Sequence, residues 1–292
     1  MPELPEVETV VRDLQPLVVG RTIRAVRVGS KSLRKPWRPE WTDLACGTKI
    51  EAVRRRGKWI ILELEAKTRS PRGLVHLGMT GQFTAVPAAE VASDHLHVVF
   101  ELDRGRELRF RDPRRFGSVT LYPDAESLAA RFEEIGLGPE PFGVDAAYFR
   151  EEVRKSSRCL KALLLDQGLL AGVGNIYADE ACSMSGLHPR RRGNTLTIAE
   201  ADRLREAVEA VLTKAVSRRG ATIRDYVGGS GLRGGMQHEF RVYGRTGEPC
   251  LERSAAIECV RLAGRSSHYC PRCQPSSSRS RERPESGASQ LR

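Results

Sequence analysis

With 292 residues, 40% of them apolar, the chain is long enough for about two domains of roughly 100–200 residues, each with its own core. Forty-eight Lys and Arg against 37 Asp and Glu leave a net charge of +11, which points to a polyanionic partner. No apolar run approaches the ~20 residues of a membrane span, and the acidic start MPELPEVETV is no secretory signal, so a cytoplasmic protein is expected, nucleoid-associated if bacterial.

The first residues, MPELPE, carry unusual chemistry. A small second residue such as Pro2 normally allows removal of Met1, which leaves proline as the N-terminus. Its secondary amine is an α-amino group, with a pKa of roughly 8 against about 10.4 for lysine, and can attack a carbonyl-like carbon. Glu3 and Glu6 stand beside it as carboxyl groups able to move protons. Taken alone, the same residues also read as the acidic start of a helix, PEVETVVRDL. Short alternating runs follow, among them TIRAVRVGS, KWIILELEA, HLHVVFEL and ELRFR, separated by breaks rich in Gly, Pro and Asp. That is the pattern of an antiparallel sandwich or barrel. Within it Lys58 opens an apolar strand after a glycine, where a long amine can reach into a cleft or simply cap a hairpin. In DPRRFG, Arg114 and Arg115 stand beside Phe116, a set suited to phosphate contact and insertion into a base stack. It suits equally a salt-bridged turn with Phe116 in the core.

Gly and Pro concentrate in GLGPEPFG, which predicts a linker over 136–143. Beyond it the period becomes helical through DAAYFREEVRKSS, RCLKALLLDQ, NIYADEACSMSG and TIAEADRLREAVEAVLTKAVSRRG, the last with Thr197 as N-cap and Gly220 as terminator. A mobile loop is expected over 228–237, a strand and turn over FRVYGRTGEP, and disorder over the Ser- and Arg-rich tail 275–292. Seven cysteines in a cytosolic chain read as thiols or metal ligands rather than disulfides, with Cys46, Cys159 and Cys182 as ordinary buried ones. The remaining four, Cys250, Cys259, Cys270 and Cys273, lie close in sequence. Two C-x-x-C pairs would mark a zinc site, but Arg253 stands three places after Cys250. Cys259 restores four thiolates only by rerouting the first turn, and His268 reads as part of a strand. A zinc site rescued by Cys259 and a hairpin without metal are both open readings.

The segments MPELPEVET, HLGMTG, DPRRFG, LGPEP, LLLDQGLLAGVGNIYADEAC, GLHP and VYGRTGEPC…GRSSHYCPRCQ occur in that order. In them the chain resembles the formamidopyrimidine-DNA glycosylase family from residue 2 to Gln274. The resemblance implies an α+β fold: an N-terminal antiparallel β-sandwich domain (2–135), the linker, a helix–two-turns–helix DNA-binding domain (144–236), a zinc-finger-type β-hairpin (237–274) and a basic tail (275–292). It implies a base-excision-repair enzyme, a monomer acting on damaged double-stranded DNA and releasing oxidised purines such as 8-oxoguanine and formamidopyrimidines. Pro2 would attack the sugar C1′ and form a Schiff base, Glu3 would act as acid and base, and Lys58 would move protons as the strand is cut by β,δ-elimination. Arg265 matches the hairpin's phosphate-binding arginine and completes the catalytic set. Met79, Arg114 and Phe116 match the wedge that fills the gap left by an everted nucleotide, a gap that must open because the glycosidic bond is out of reach inside a duplex. Asn175, Lys161 and His76 match contacts to the DNA backbone. One Zn2+ per chain is implied, with Cys250, Cys259, Cys270 and Cys273 as the candidate ligands. Ser93 and Ser156 depart from the family, standing where a histidine and a lysine are usual. The rival readings are an endonuclease VIII-like enzyme for oxidised pyrimidines and a non-catalytic damaged-DNA-binding protein. Intact Pro2, Glu3 and Lys58 argue against the second.

Overall fold

The computed structural model describes residues 2–222 and 234–276. Met1, most of the loop expected over 228–237 and nearly all of the expected tail therefore lie outside the described residues. The chain opens with helix α1 (Leu4–Val18), whose Val7, Val10, Val11, Leu14 and Val18 are buried along one face. Eight strands follow: β1 (Ile23–Val28), β2 (Lys49–Arg56), β3 (Trp59–Glu65), β4 (Arg72–His76), β5 (Gln82–Pro87), β6 (Leu96–Leu102), β7 (Arg106–Arg111) and β8 (Ser118–Tyr122). They pair antiparallel in two four-stranded sheets, ordered β1-β6-β7-β5 and β2-β3-β4-β8. Strict alternation aims Ile60, Leu62 and Leu64 of β3 at the same core as Phe100 of β6 and Leu108 and Phe110 of β7. Helix α1 closes that core. Two helices, α2 (Pro39–Ala45) and α3 (Ala125–Glu134), interrupt or follow the strands where no helical period was legible.

A second core gathers α4 (Ala146–Arg154), α5 (Leu160–Leu165), α6 (Asn175–Met184) and α7 (Ile198–Ser217). Leu4 is buried in this second core while Val7 belongs to the first, so α1 is shared between them. The α7 boundaries follow their local signals. Thr197 Oγ1 accepts the Glu200 N–H at 3.2 Å while Glu200 returns a carboxylate to the Thr197 N–H at 2.9 Å, and Gly220 follows the helix with φ +70°. The two-stranded hairpin β9 (Glu258–Leu262) and β10 (Arg265–Tyr269) turns through Ala263 and Gly264, both at positive φ, as a two-residue hairpin loop requires. No described helix is long and apolar enough to cross a membrane.

Two local expectations are corrected. FRVYGRTGEP forms turns and no strand. The reason is that its backbone donors go to a side chain: the Glu180 carboxylate accepts the N–H groups of Arg241, Val242 and Tyr243 at 2.8, 3.0 and 2.9 Å. Of the three separate cysteines only Cys182 is buried; Cys46 and Cys159 are half-buried.

Glu180→Ala leaves those three donors without their acceptor, and should lower unfolding stability by roughly 3–5 kcal/mol. Glu248→Ala, which breaks only an exposed pair with Arg245, should change it by less than about 1 kcal/mol. Chemical denaturation of both variants checks the contrast, and equal effects would contradict it.

Candidate active site

The N-terminal turn enters the second core through glycines. Gly172 accepts the Leu4 N–H at its carbonyl (3.1 Å) and has φ +102°, and a Cβ there would lie 2.6 Å from Leu4 Cδ1. A Cβ on Gly174 would lie 2.3 Å from Glu3 Cδ. The space so left admits the Glu3 carboxylate, 2% exposed, to the N-terminus of α6, where Oε1 accepts the Ile176 N–H at 2.8 Å. That donor is one of the unpaired amides at the positive end of a helix. Glu6 reaches back to the Glu3 N–H at 2.8 Å and also accepts the Tyr177 hydroxyl and the Ala221 N–H. Burial pushes both carboxyls above the ordinary glutamate value; for Glu3 the nearby Lys58 ammonium opposes the rise, and for Glu6 the Tyr177 hydroxyl does. Burial pushes the Lys58 amine down, against the pull of Glu3 and Glu6. Carboxyls that hold protons more tightly and an amine that holds them less are suited to proton exchange.

Lys58 sits at the β2–β3 turn, which is docked onto the linker by Glu140. The Glu140 carboxylate accepts the Gly57 N–H at 2.6 Å, Arg55 Nη1 at 2.6 Å and Arg56 Nη1 at 3.1 Å. A cleft of about 1100 Å³ opens here between the two cores, lined by Pro2, Glu3, Glu6 and Lys58 on one side of its chemistry. His76, Met79, Arg114, Asn175 and Arg265 line it as well. The His76 ring lies against Trp59, 4.6 Å between centroids, and its Nδ1 accepts the Gly78 N–H at 3.1 Å. Burial, then the charges of Lys58 and Arg34, bring its pKa from 6.5 down to about 4.

Met79 and Phe116 are 37% and 48% exposed, which settles the reading of Phe116 against the core. The Arg114 guanidinium lies over the Phe116 ring, 4.8 Å from its centroid. The two loops that carry them are joined by Asp112, wholly buried. Its Oδ1 accepts the Thr80 hydroxyl at 2.5 Å and the Arg114 N–H at 3.2 Å, and its Oδ2 accepts the Gly117 N–H at 2.7 Å. Ser93 is exposed, and two residues on His95, at φ +66°, turns its carbonyl to the Asp112 N–H. The Ser156 hydroxyl accepts the neighbouring Arg158 N–H at 3.3 Å, and its carbonyl the Asn194 N–H at 2.8 Å.

Lys161, matched above to a DNA-backbone contact, is fully buried. Its Nζ donates to Asp179 Oδ1 at 2.5 Å and to the Asn175 carbonyl at 2.7 Å, because a wholly buried carboxylate needs a paired cation. Asp179 Oδ2 in turn accepts the His268 N–H at 2.9 Å and contacts His268 Nδ1 at 3.0 Å, so the same aspartate fixes β10, which begins at the exposed Arg265. Asn175 opens α6, and its Oδ1 is buried with no hydrogen-bond partner among the described residues. Glu140, Asp112, Asp179 and Arg34 have no assigned role in the sequence reading; Asp112, Glu140 and Asp179 fall inside DPRRFG, LGPEP and LLLDQGLLAGVGNIYADEAC, the only local signal that marks them.

In the hairpin the sulfurs of Cys250, Cys270 and Cys273 lie within 4.8 Å of one another, with Cys250 and Cys273 3.7 Å apart. Zn–S bonds of about 2.3 Å give a tetrahedral edge of about 3.8 Å, so these three thiols fit three corners of a zinc site. Cys259 is not brought to them: it is exposed on β9, opposite His268 in the ladder.

Two outcomes follow from this geometry. Gly174→Ala should destabilise the fold by roughly 2–4 kcal/mol through overlap with Glu3, whereas Gly47→Ala, with open space around it, should cost about 1 kcal/mol from its φ of +77° alone. Denaturant unfolding compares them, and an equal pair would contradict the close approach. His76 has a folded pKa below its unfolded one, so the neutral ring contributes stability that is present above pH 6.5 and lost as the pH falls through about 4. The advantage of the native chain over His76→Gln should shrink by up to about 3 kcal/mol across that window, and a constant difference would be inconsistent with it.

Comparison with known proteins follows the same division of the chain. Residues 1–119 match the formamidopyrimidine-DNA glycosylase N-terminal domain, 137–227 its H2TH domain, and 247–275 a zinc finger found in FPG and IleRS. The chain is 41% identical over 280 residues to formamidopyrimidine-DNA glycosylase of Listeria innocua, covering 94% of this chain and 100% of that one. Against the protein of the same name from Herpetosiphon aurantiacus it is 43% identical over 278 residues, with 94% and 100% covered. A crystal structure of a Lactococcus lactis FPG variant with Fapy-dG-containing DNA superposes with a TM-score of 0.87 at 34% identity, covering 94% of this chain and 100% of that chain. The complex of Lactococcus lactis Fpg with abasic-site DNA gives 0.85 at 33%, covering 93% and 99%. The chain therefore belongs to the formamidopyrimidine-DNA glycosylase family and is a DNA-binding repair glycosylase with a zinc-finger hairpin.

Proposed function

We propose that the chain is a bifunctional glycosylase and abasic-site lyase that releases oxidised purines, 8-oxoguanine and formamidopyrimidines, from duplex DNA. The observation that carries this reading is the placement of Pro2 in a cleft beside two buried carboxyls and a buried amine. With Met1 removed, the Pro2 nitrogen attacks C1′ of the damaged nucleotide and the base leaves with a proton. The sugar opens to an iminium at Pro2, and loss of a C2′ proton breaks the bond from C3′ to its phosphate. A second elimination breaks the bond at C5′, and water then frees the proline. Glu3, its carboxyl pushed upward by burial, is suited to supply the first proton, and Lys58, its amine pushed downward, to move those of the eliminations.

Met79 with Arg114 and Phe116 fills the space of the everted nucleotide, and Asp112 keeps the two loops in one wedge. Arg265, Asn175 and His76 hold the backbone phosphates around the extruded sugar, Arg265 by charge and Asn175 from a helix N-terminus. Lys161 serves the same end indirectly, by holding the Asn175 carbonyl. The residues divide by role as 2–135 for chemistry and wedge, 136–143 as linker, and 144–236 and 237–274 for grip, within one monomer. Relatives bound to Fapy-dG DNA favour the oxidised-purine reading over the pyrimidine one.

Borohydride added during reaction with an 8-oxoguanine duplex should trap a covalent protein–DNA adduct. Pro2→Gly should lower its yield at least ~100-fold while duplex binding changes little. An adduct undiminished in Pro2→Gly, or binding without base release, would overturn the proposal, the latter in favour of a non-catalytic binder. A faster reaction on oxidised-pyrimidine duplexes would move it to the other substrate class.

A further inference from the structure

A structural zinc site takes four protein ligands, and this hairpin brings three together. The turn that would supply the fourth is nevertheless formed. The Cys250 N–H donates to the Ala255 carbonyl at 2.8 Å and the Ser254 N–H to the Cys250 carbonyl at 3.0 Å. The amides of Glu252 and Arg253 donate to the Cys250 sulfur, and Ser254 takes the left-handed conformation at φ +52°. Position 253 thus stands beside the sulfurs but carries a guanidinium, which has donors and no lone pair for a metal. Residues 251–254 are all exposed, so the corner next to Arg253 faces solvent. The other candidates point elsewhere. Cys259 is exposed across the ladder from His268, and His268 Nδ1 is held by Asp179. Glu252 pairs with Arg241, and no fourth His, Cys, Asp or Glu joins the group among the described residues.

We propose that this chain holds zinc through Cys250, Cys270 and Cys273 alone, with the fourth coordination position open beside Arg253 and available to a small exogenous thiolate. The proposal rests on the zinc reading of the hairpin. Water fills the position in plain buffer. A low-molecular-weight thiol displaces it, losing its proton to solvent as the sulfur binds, with no change of oxidation state. Thiolate suits the metal as a soft ligand. Arg253 thereby turns a closed structural site into one that accepts a ligand.

The test uses the full-length chain with cobalt(II) in place of zinc, since cobalt reports its ligands through visible and near-ultraviolet absorption. One metal per chain is expected, with the spectrum of three thiolates and one oxygen. Added 2-mercaptoethanol should shift the visible bands to longer wavelength and raise the thiolate-to-cobalt charge-transfer intensity by about one third, the ratio of four sulfurs to three. Metal content is measured in the same sample after gel filtration. Arg253→Cys should show the four-thiolate spectrum at once and give no response to thiol, while Cys259→Ser should behave as the native chain. A four-sulfur spectrum in the native chain that is lost in Cys259→Ser would overturn the proposal, as would a native spectrum indifferent to thiol. Metal bound stoichiometrically by Arg253→Cys but not by the native chain would overturn it at its base, in the zinc reading itself.

Discussion

The structure is organised around one contact: the buried Glu3 carboxylate set against the first free amides of α6, with Ile176 N–H at 2.8 Å. A carboxylate in such a place loses hydration and regains part of it from backbone donors and the helix dipole. The contact also crosses between the two cores, since Glu3 precedes a helix that closes the sandwich while Ile176 belongs to the helical part. Pro2, next to Glu3, is thereby held at a defined point of the cleft. Gly172 and Gly174 matter because any side chain there would occupy the space of Leu4 or Glu3.

Around that contact a small number of buried or half-buried carboxylates each tie one functional segment to the frame. Glu140 fixes the turn bearing Lys58, Asp112 joins the Met79 loop to the Arg114 loop, and Asp179 joins α5 and α6 to the hairpin bearing Arg265. Glu180, the next residue along α6, holds the chain that leads into the hairpin. These few acidic residues of a chain of net charge +11 act as internal fasteners, while Arg34, Arg114 and Arg265 are exposed.

Much of this was legible in the sequence. Alternation marked the sandwich strands, a capping box marked α7, and seven ordered motifs carried the family, with Pro2, Glu3, Met79, Arg114 and Arg265 inside them. What stayed hidden were partnerships across long sequence separations. The pairing of Lys161 with Asp179, eighteen residues on and wholly in the interior, is one of them. FRVYG alternates like a strand, but its donors belong to a glutamate about sixty residues earlier. Cys259 has the right chemistry for a ligand and the wrong position in its ladder. Residue type and spacing report local conformation; they do not report which distant group satisfies a buried charge.

The central claim concerns the protonation of one carboxyl, and it is measured most directly by the pH titration of the Glu3 side-chain 13Cδ resonance, assigned by comparison with Glu3→Gln. The account predicts a midpoint displaced above the ordinary glutamate value of 4.5, with the shift relaxing toward that value when Gly174→Ala expels the side chain from the α6 N-terminus. A midpoint at or below 4.5 in the native chain would contradict it, because the helix amides and Lys58 would then outweigh burial and leave Glu3 an ionised group with no proton to give.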